Sequence, residues 1–232
     1  MIVYENTVPA AFAQRLNRFT AEVLLDGKIE TVHVKNTGRL GELLTPGAEV
    51  TLQRVSDPKR KTAFDLISVY KPGLAWVNID SLAPNALMKQ VLEAEGFDTV
   101  KPEYACGGSR LDFYMERGGE RYLTEVKGCT LASAAETGVG LFPDAPTERG
   151  IKHLNELAKA AAEGYRCRVA FVIQMNGIVR VRPNDETQPE FGRALVRAAR
   201  AGVRVLCYSC RVAADRVAIA GVTDDTARYL GS

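Results

Sequence analysis

Residues 109–128 read SRLDFYMERGGERYLTEVKG, and this pattern restricts the fold of the 232-residue chain more than any other segment. Strand-forming residues lie on both sides of the Gly118-Gly119 turn, so the segment predicts a β-hairpin. Because side chains alternate along a strand, Glu125 and Lys127 share one face. Asp112 reaches that face from the neighbouring strand. The hairpin therefore predicts that two carboxylates and a lysine converge.

Such a cluster suits metal-dependent hydrolysis. Mg²⁺ prefers oxygen ligands and is usually held by one or two carboxylates together with water and phosphate oxygens. We predict that Asp112 and Glu125 bind Mg²⁺ or Mn²⁺ weakly, and that Lys127 orients the attacking water or stabilises developing charge. The alternative is an exposed cross-strand ion pair, which contributes little to stability and performs no chemistry.

A third acidic ligand is expected near this pair. Glu103 lies on the predicted strand before the hairpin and is the preferred candidate. Glu93 and Glu95, on the preceding predicted helix, are the alternatives. Each of the three also fits an ordinary surface acid.

The N-terminal part of the chain, residues 15–77, predicts five short strands separated by turns that contain Asp-Gly, Pro-Gly and Asp-Pro pairs. With one helical turn near residues 39–44, this order suits a small OB-like β-barrel, a scaffold that often binds nucleic acid or oligosaccharide. We assign this domain to residues 1–80.

Two cationic segments of the barrel are candidate DNA contacts. The tip Pro58-Lys59-Arg60-Lys61 would bind phosphates without reading sequence, and a solvated turn is the alternative. Arg39 follows Asn36-Thr37-Gly38, where a strand passes into the helical turn. Those polar residues suit structural capping, whereas Arg39 also suits a phosphate contact.

The C-terminal part, residues 81–232, alternates predicted helices and strands, which indicates helices on both faces of a mixed sheet. The fold class is α/β, or α+β for the chain as a whole. An irregular loop over 129–146, placed to close over a substrate, joins the hairpin to a helix over 147–163. The other predicted elements are a helix over 85–95, strands over 98–105, 166–175 and 203–209, and a helix over 189–201.

Cations follow the start of the helix at residue 147. Arg149 and Lys152 would bind a phosphodiester there, with help from the helix N-terminus. The alternative is that they lie on a solvated helix face without a ligand. Arg110, on the hairpin itself, is a further candidate DNA contact. His153 is predicted to be structural, because a lone histidine is more often structural than a ligand or general base.

Composition excludes few functions. A net charge of +2 and a pI near 8.2 neither require nor exclude nucleic acid. The five cysteines are expected to be reduced thiols, and Cys207-Tyr-Ser-Cys210 lacks a second ligand pair, so no zinc is expected. No apolar run approaches a membrane span, which predicts a cytoplasmic protein without a membrane partner.

Four segments, 34–47, 109–113, 125–131 and 142–157, together resemble the sugar fermentation stimulation protein family. The pattern of Asp112 followed by Glu125-x-Lys127 resembles the PD-(D/E)XK nuclease core. The resemblance implies an OB-fold-like N-terminal domain, a restriction-endonuclease-like α/β/α C-terminal domain, and DNA binding linked to sugar metabolism.

These observations lead to three functional hypotheses. The first is a DNA-binding protein, without strong sequence specificity, whose nuclease-like domain performs Mg²⁺-dependent phosphodiester hydrolysis. The second is a non-catalytic DNA-binding regulator of sugar metabolism, and the third is a carbohydrate-binding OB module. Assembly into a homo-oligomer is left open.

Overall fold

The computed structural model describes residues 1–57 and 59–231. The first strands are β1 (Ile2–Val3), β2 (Thr7–Arg15), β3 (Thr20–Leu25), β4 (Lys28–Val34), β5 (Glu49–Arg54), β6 (Phe64–Lys71) and β7 (Ala75–Asn78). They are followed by α1 (Ala83–Ala94), β8 (Thr99–Cys106), β9 (Ser109–Arg117), β10 (Glu120–Cys129), β11 (Leu131–Ala132) and β12 (Val139–Phe142). The last elements are α2 (Glu148–Ala162), β13 (Arg166–Ile173), β14 (Arg180–Pro183), α3 (Pro189–Arg200), β15 (Arg204–Ala213), β16 (Arg216–Asp224) and the 3-10 helix Thr226–Tyr229.

Strands β2 to β6 form a closed barrel. The sheet order is β4-β3-β2-β5-β6-β7, and a parallel pairing of β4 with β6, at His33 and Asp65, closes it. Buried apolar side chains such as Val23 and Leu52 fill the interior, as alternation along a half-buried strand requires. The amide of Leu44 donates to the Leu40 carbonyl at 2.8 Å, giving a single turn after β4. The predicted OB-like barrel is confirmed.

The second sheet has the order β1-β16-β15-β13-β10-β9-β8. Strands β10, β13 and β15 run parallel, while the strands on either side pair antiparallel. Leu123 of β10 belongs to the apolar cluster of α2 and α3, whereas Val126 belongs to the cluster of α1. Helices therefore cover both faces, and the predicted mixed α/β/α arrangement is confirmed.

Three parts of the architecture differ from the sequence-based picture. Strands β1 and β16 were not predicted, and β1 pairs with β16, so residues 2–3 lie in the larger sheet. The segment predicted as an irregular closing loop contains β11 and β12, which form a small sheet with β14. The Phe142 ring packs 5.6 Å from Phe171 and 5.0 Å from Phe191. The prediction of an irregular segment is therefore wrong for these two strands, and closure over a substrate stays a prediction. The domain boundary at residue 80 stays a prediction.

Two further expectations concern the cysteines, predicted to be reduced thiols, and the lack of a membrane-spanning segment. All five cysteines are free, and Cys207 and Cys210 belong to the apolar clusters on opposite faces of the second sheet. Within the described part of the chain, the helices are too short or too polar to cross a membrane.

A buried polar network joins the barrel to the second sheet. The amide of Asn78 donates to the Tyr4 hydroxyl at 3.1 Å and accepts from the side chain of Gln174 at 2.8 Å. Gln174 also donates to the Asp80 carbonyl at 2.9 Å, and its own backbone amide donates to the Cys129 carbonyl. Because Gln174 follows β13 and contacts the end of β10, this junction lies beside the strand that carries Glu125 and Lys127.

Close packing around Gly128 explains why a glycine follows Lys127. A Cβ at this position would lie 2.6 Å from Oε1 of Gln174 and 2.9 Å from Cγ of Pro84 in α1. Any side chain here would push apart α1, β10 and the junction.

We expect Asn78→Ala to lower the free energy of unfolding by about 1–3 kcal/mol, because buried partners on Tyr4 and Gln174 would lose their hydrogen bonds. Urea denaturation of the purified protein measures this. Gln14→Ala, at an exposed amide on the barrel, is the matched control and should change stability by less than about 0.5 kcal/mol. Equal losses in the two variants would contradict a stabilising role for the junction.

Candidate functional site

The hairpin of β9 and β10 brings Asp112 and Glu125 together. In the pairing of β9 with β10, the pair farthest from the turn is Phe113 with Thr124. Asp112 and Glu125 are the next residues of the two strands beyond this pair. The backbone amide of Val126 donates to Oδ2 of Asp112 at 2.7 Å. Lys127 donates to Oε1 of Glu125, which places the lysine on the same face. The structure therefore gathers the three residues that the alternation predicted to converge.

Glu125 is the most buried member of the cluster, with 2% of its surface exposed. Its Oε1 accepts from Lys127 and from Nδ1 of His153, which is also buried. Burial acts to raise the pKa of Glu125, but the hydrogen bond from His153 and the positive charge of Lys127 hold it below its ordinary value. Glu125 is therefore a carboxylate at neutral pH.

The second oxygen of Glu125 has no such support. Oε2 is buried and accepts no hydrogen bond from any residue that the structure describes. A buried polar atom without a partner is costly, and each such atom in a folded protein calls for an explanation. Oε2 is thus an acceptor that a ligand would satisfy.

Asp112 faces the opposite electrostatic situation. Burial, followed by the negative charge of Glu125, raises the pKa of Asp112 above its ordinary value. Its Oδ1 accepts from the side-chain amide of Asn85 in α1 at 2.9 Å. Two neighbouring carboxylates with excess negative charge are a favourable place for a cation.

Helix α2 supplies the other side of the cluster. Thr147 caps its first turn by accepting from the Gly150 amide at 3.0 Å. One turn later, His153 reaches Glu125, and Nε of Arg149 donates to Nε2 of His153 at 3.3 Å. Since Nε2 accepts, the network assigns the proton of a neutral His153 to Nδ1, which donates to Glu125. Arg149 is thereby linked to the carboxylate through one imidazole.

A cationic cavity of about 500 Å³ opens beside His153. Three of the predicted DNA contacts line it: Arg110 from β9, and Arg149 and Lys152 from α2. Lys152 also donates to the Gly108 carbonyl at 2.6 Å, which joins α2 to the turn before β9. Glu148 also lines the cavity, and His153 connects it to the carboxylate of Glu125.

The structure does not bring Glu103 into the site. Glu103 lies between Pro102 and Tyr104, which pair with Phe113 and Leu111 on either side of Asp112, but its φ of 56° interrupts the regular alternation of side chains. Its exposed carboxylate pairs with Arg110 at 3.6 Å instead. Among the described residues, no three His, Cys, Asp or Glu side chains form a metal-binding group. The alternatives pair elsewhere, Glu95 with Arg168 and Glu93 with Lys89.

The cations of the barrel have different environments. Arg60 makes two hydrogen bonds to the buried carboxylate of Asp65, at 2.5 and 3.2 Å, so its guanidinium is occupied within the barrel. Lys59 and Lys61 are exposed, and Pro58 of the same predicted tip lies outside the described residues. Arg39 is exposed.

Comparison with known proteins agrees with this architecture. Residues 13–79 match the family model of the SfsA N-terminal OB domain, and residues 80–216 match that of the sugar fermentation stimulation protein RE domain. The chain belongs to the sugar fermentation stimulation protein family. A homolog from Desulfitobacterium hafniense is 46% identical over 217 residues, covering 92% of this chain and 93% of the relative. One from Ruminiclostridium cellulolyticum is 45% identical over 213 residues, covering 90% and 92%.

A solved structure of the same family is similar over almost the whole chain. It is described as the structure of Pyrococcus furiosus SfsA in complex with Ca²⁺. The match has a TM-score of 0.81 and 27% identity, and covers 95% of this chain and 96% of the archaeal chain.

Two residues of this sugar fermentation stimulation protein were missed or undervalued from the sequence. Asn85 contacts Asp112 from α1, where only acidic residues were considered. His153 was predicted to be structural, and it is buried and bonded to Glu125, a contact that the sequence did not reveal. Its spacing of four residues from Arg149 on one helix face was the available signal.

We expect Asp112→Asn to stabilise the fold at neutral pH, because the substitution removes a charge that burial and Glu125 disfavour. The Asn85 amide can rotate to accept from the new side chain. The raised pKa of Asp112 fixes the sign: the gain in Tm over wild type is full at neutral pH. It shrinks as the pH falls through the raised pKa, where wild type also becomes neutral.

Thermal unfolding between pH 4 and 8 measures this difference. Asp26→Asn, at an exposed turn, is the control and should leave Tm nearly unchanged. A Tm below that of wild type at every pH would show that Asp112 carries no electrostatic penalty.

Proposed function

We propose that this protein binds DNA and hydrolyses its phosphodiester bonds with the help of Mg²⁺ or Mn²⁺ held by Asp112 and Glu125. The observation that carries the proposal is the buried, unpartnered Oε2 of Glu125 next to a second carboxylate whose pKa is raised. A cation would satisfy the free acceptor and relieve the repulsion between the two acids.

The donor set fits such an ion. Carboxylate oxygens suit Mg²⁺, Mn²⁺ and Ca²⁺, whereas sites for softer metals use thiolate or several imidazoles. The Ca²⁺ complex of the archaeal relative supports a divalent cation in this family. With two acids in place, water and substrate phosphate oxygens would complete the coordination, so affinity without DNA is expected to be weak.

When bound, a divalent cation polarises phosphoryl oxygens and lowers the pKa of coordinated water. The protein's own groups act around it. Lys127 is held by Glu125 with 13% of its side chain exposed, so its ammonium group is available to orient the attacking water or to donate to the transition-state oxygens. Asn85 and the Val126 amide fix Asp112, and His153 fixes Glu125. The carboxylates are therefore already oriented before substrate binds.

The cationic cavity supports the proposal that the substrate is DNA. Arg110, Arg149 and Lys152 would neutralise phosphates on either side of the reacting bond. Arginine matches phosphate oxygens with paired donors, and lysine adds a point charge. Contacts of this kind bind the backbone and do not read bases, which favours DNA recognition without strong sequence specificity.

Cleavage of DNA tests the catalytic part of the proposal. Wild type should cut labelled single-stranded, duplex or branched DNA in the presence of Mg²⁺ or Mn²⁺. Glu125→Gln removes a metal ligand and Lys127→Met removes the ammonium group, so each should lower the rate by about 100-fold or more. Gel electrophoresis of the products measures this.

The control for cleavage is Glu93→Gln, an exposed acid of α1 that should keep the wild-type rate. Equal traces of cutting by all four proteins would indicate a contaminating nuclease and defeat the catalytic proposal. DNA binding by wild type without any cutting would instead support the non-catalytic regulator.

The phosphate contacts predict how binding responds to salt. Lys152→Ala should weaken DNA binding at low salt and reduce the slope of log K against log salt by about 1. Fluorescence anisotropy over a range of KCl concentrations measures the slope. Lys89→Ala, an exposed lysine of α1, should leave the slope unchanged. Identical slopes for wild type and Lys152→Ala would exclude this contact.

A further inference from the structure

The turn between β2 and β3 exposes large apolar side chains. We refer to residues 16–19, Leu16-Asn17-Arg18-Phe19, as the barrel tip. Phe19 is 54% exposed and Leu16 is 47% exposed. Apolar area left in water gives up the free energy that burial would provide, and these two side chains lie within one four-residue turn.

The barrel tip is held in a defined conformation. The amides of Leu16 and Asn17 donate to the Thr20 carbonyl at 3.0 and 3.3 Å. The side chain of Asn17 accepts from the amides of Phe19 and Thr20 at 2.8 and 3.1 Å. The exposed ring of Phe19 thus lies on a turn held by four hydrogen bonds, which lowers the entropy lost when a ligand contacts it.

Arg15 ties the barrel tip to the neighbouring loop, residues 36–39. Its guanidinium donates to carbonyls on both sides, at distances of 2.7–3.1 Å. The acceptors are Asn17 and Arg18 in the tip and Asn36, Gly38 and Arg39 in the loop. The Arg15 guanidinium thus bridges the backbones of the tip and the loop, so the two segments form one surface.

That surface leads to the candidate active site. A Cβ at Gly38 would lie 2.4 Å from Oδ2 of Asp144, so the loop packs directly on the segment before α2. Asp144 precedes the helix cap Thr147 by three residues, and α2 carries Arg149 and His153. The barrel tip is therefore connected through Gly38 and the acidic Asp144 to the segment that leads into α2, whose His153 contacts Glu125.

The charge of this surface suits a nucleic-acid strand. Arg18 in the tip and Arg39 in the loop are both exposed, and neither segment 15–20 nor segment 35–40 contains an acidic residue. Proteins that bind single strands combine cations along the backbone with aromatic rings on which bases stack. A base inside a duplex does not offer its face to such a ring.

We propose that Phe19 is a stacking site for an unpaired nucleobase, with the adjoining backbone passing over Arg18 and Arg39 toward Arg149. This inference rests on the proposed function, because it names the form of nucleic acid that the same site accepts. It assigns a preference for single-stranded, frayed or branched DNA over continuous duplex.

The test compares equilibrium binding of one dye-labelled oligodeoxynucleotide, single-stranded and annealed to its complement, by fluorescence anisotropy in EDTA to prevent cutting. Phe19→Ala should weaken single-strand binding roughly 5- to 100-fold and change duplex binding less than about 2-fold. Phe19→Leu keeps the apolar area but loses the ring, so it should behave nearly as Phe19→Ala does. Phe19→Trp should retain affinity, and its fluorescence should be quenched on binding above the Trp76 baseline.

The matched control is Ile29→Ala, which removes an apolar side chain of the same barrel that is 58% exposed. It should leave both affinities unchanged. If wild type binds the oligonucleotides and Phe19→Ala binds both forms with the wild-type affinity, the stacking site alone is overturned. Equal weakening of both forms would overturn it as well.

Two further outcomes separate the alternatives. Unchanged DNA binding together with a shift of Phe19→Ala in size-exclusion elution would identify the barrel tip as a protein contact and overturn the stacking site. Wild type that binds neither oligonucleotide would overturn the proposed function and the stacking site together.

Discussion

The site depends on one constraint, the burial of the Glu125 carboxylate in a central strand. Strand β10 lies between β9 and β13, so an acid on its covered face is removed from water and must be compensated. His153 and Lys127 compensate one oxygen, and the other is left to a ligand. The hydrogen bonds to Glu125 come from two different elements, which means that its orientation reports correct packing of α2 on the sheet.

Helices on both faces of the sheet contact the two carboxylates. Helix α1 reaches Asp112 through Asn85 from one side, while α2 reaches Glu125 through His153 from the other. Gly128 then allows α1, β10 and the Gln174 junction to approach closely, which connects the carboxylates to the barrel. The hydrogen bonds of Asn78 and Gln174 therefore connect the barrel to the strands that carry the site.

Sequence reasoning succeeded where the controlling interactions are local. Alternation and the Gly118-Gly119 turn predicted the hairpin and the shared face of Glu125 and Lys127, because neighbours along the strand and across the turn decide both. It failed where backbone conformation or distant groups decide. The left-handed backbone of Glu103 and the fold of the loop that brings Arg60 to Asp65 show no residue pattern, and the contact of His153 with Glu125 joins two separate elements. Strands β11 and β12 are too short to show a period.

We propose that Asp112 and the free oxygen of Glu125 form a cation site. Anomalous diffraction from crystals soaked with Mn²⁺ tests this proposal most directly, since it locates the ion independently of turnover. We expect one Mn²⁺ peak coordinated by the carboxylates of Asp112 and Glu125, and the loss of this peak in crystals of Glu125→Gln. A Mn²⁺ peak bound elsewhere with none at these two acids, or an unchanged peak in the variant, would contradict it.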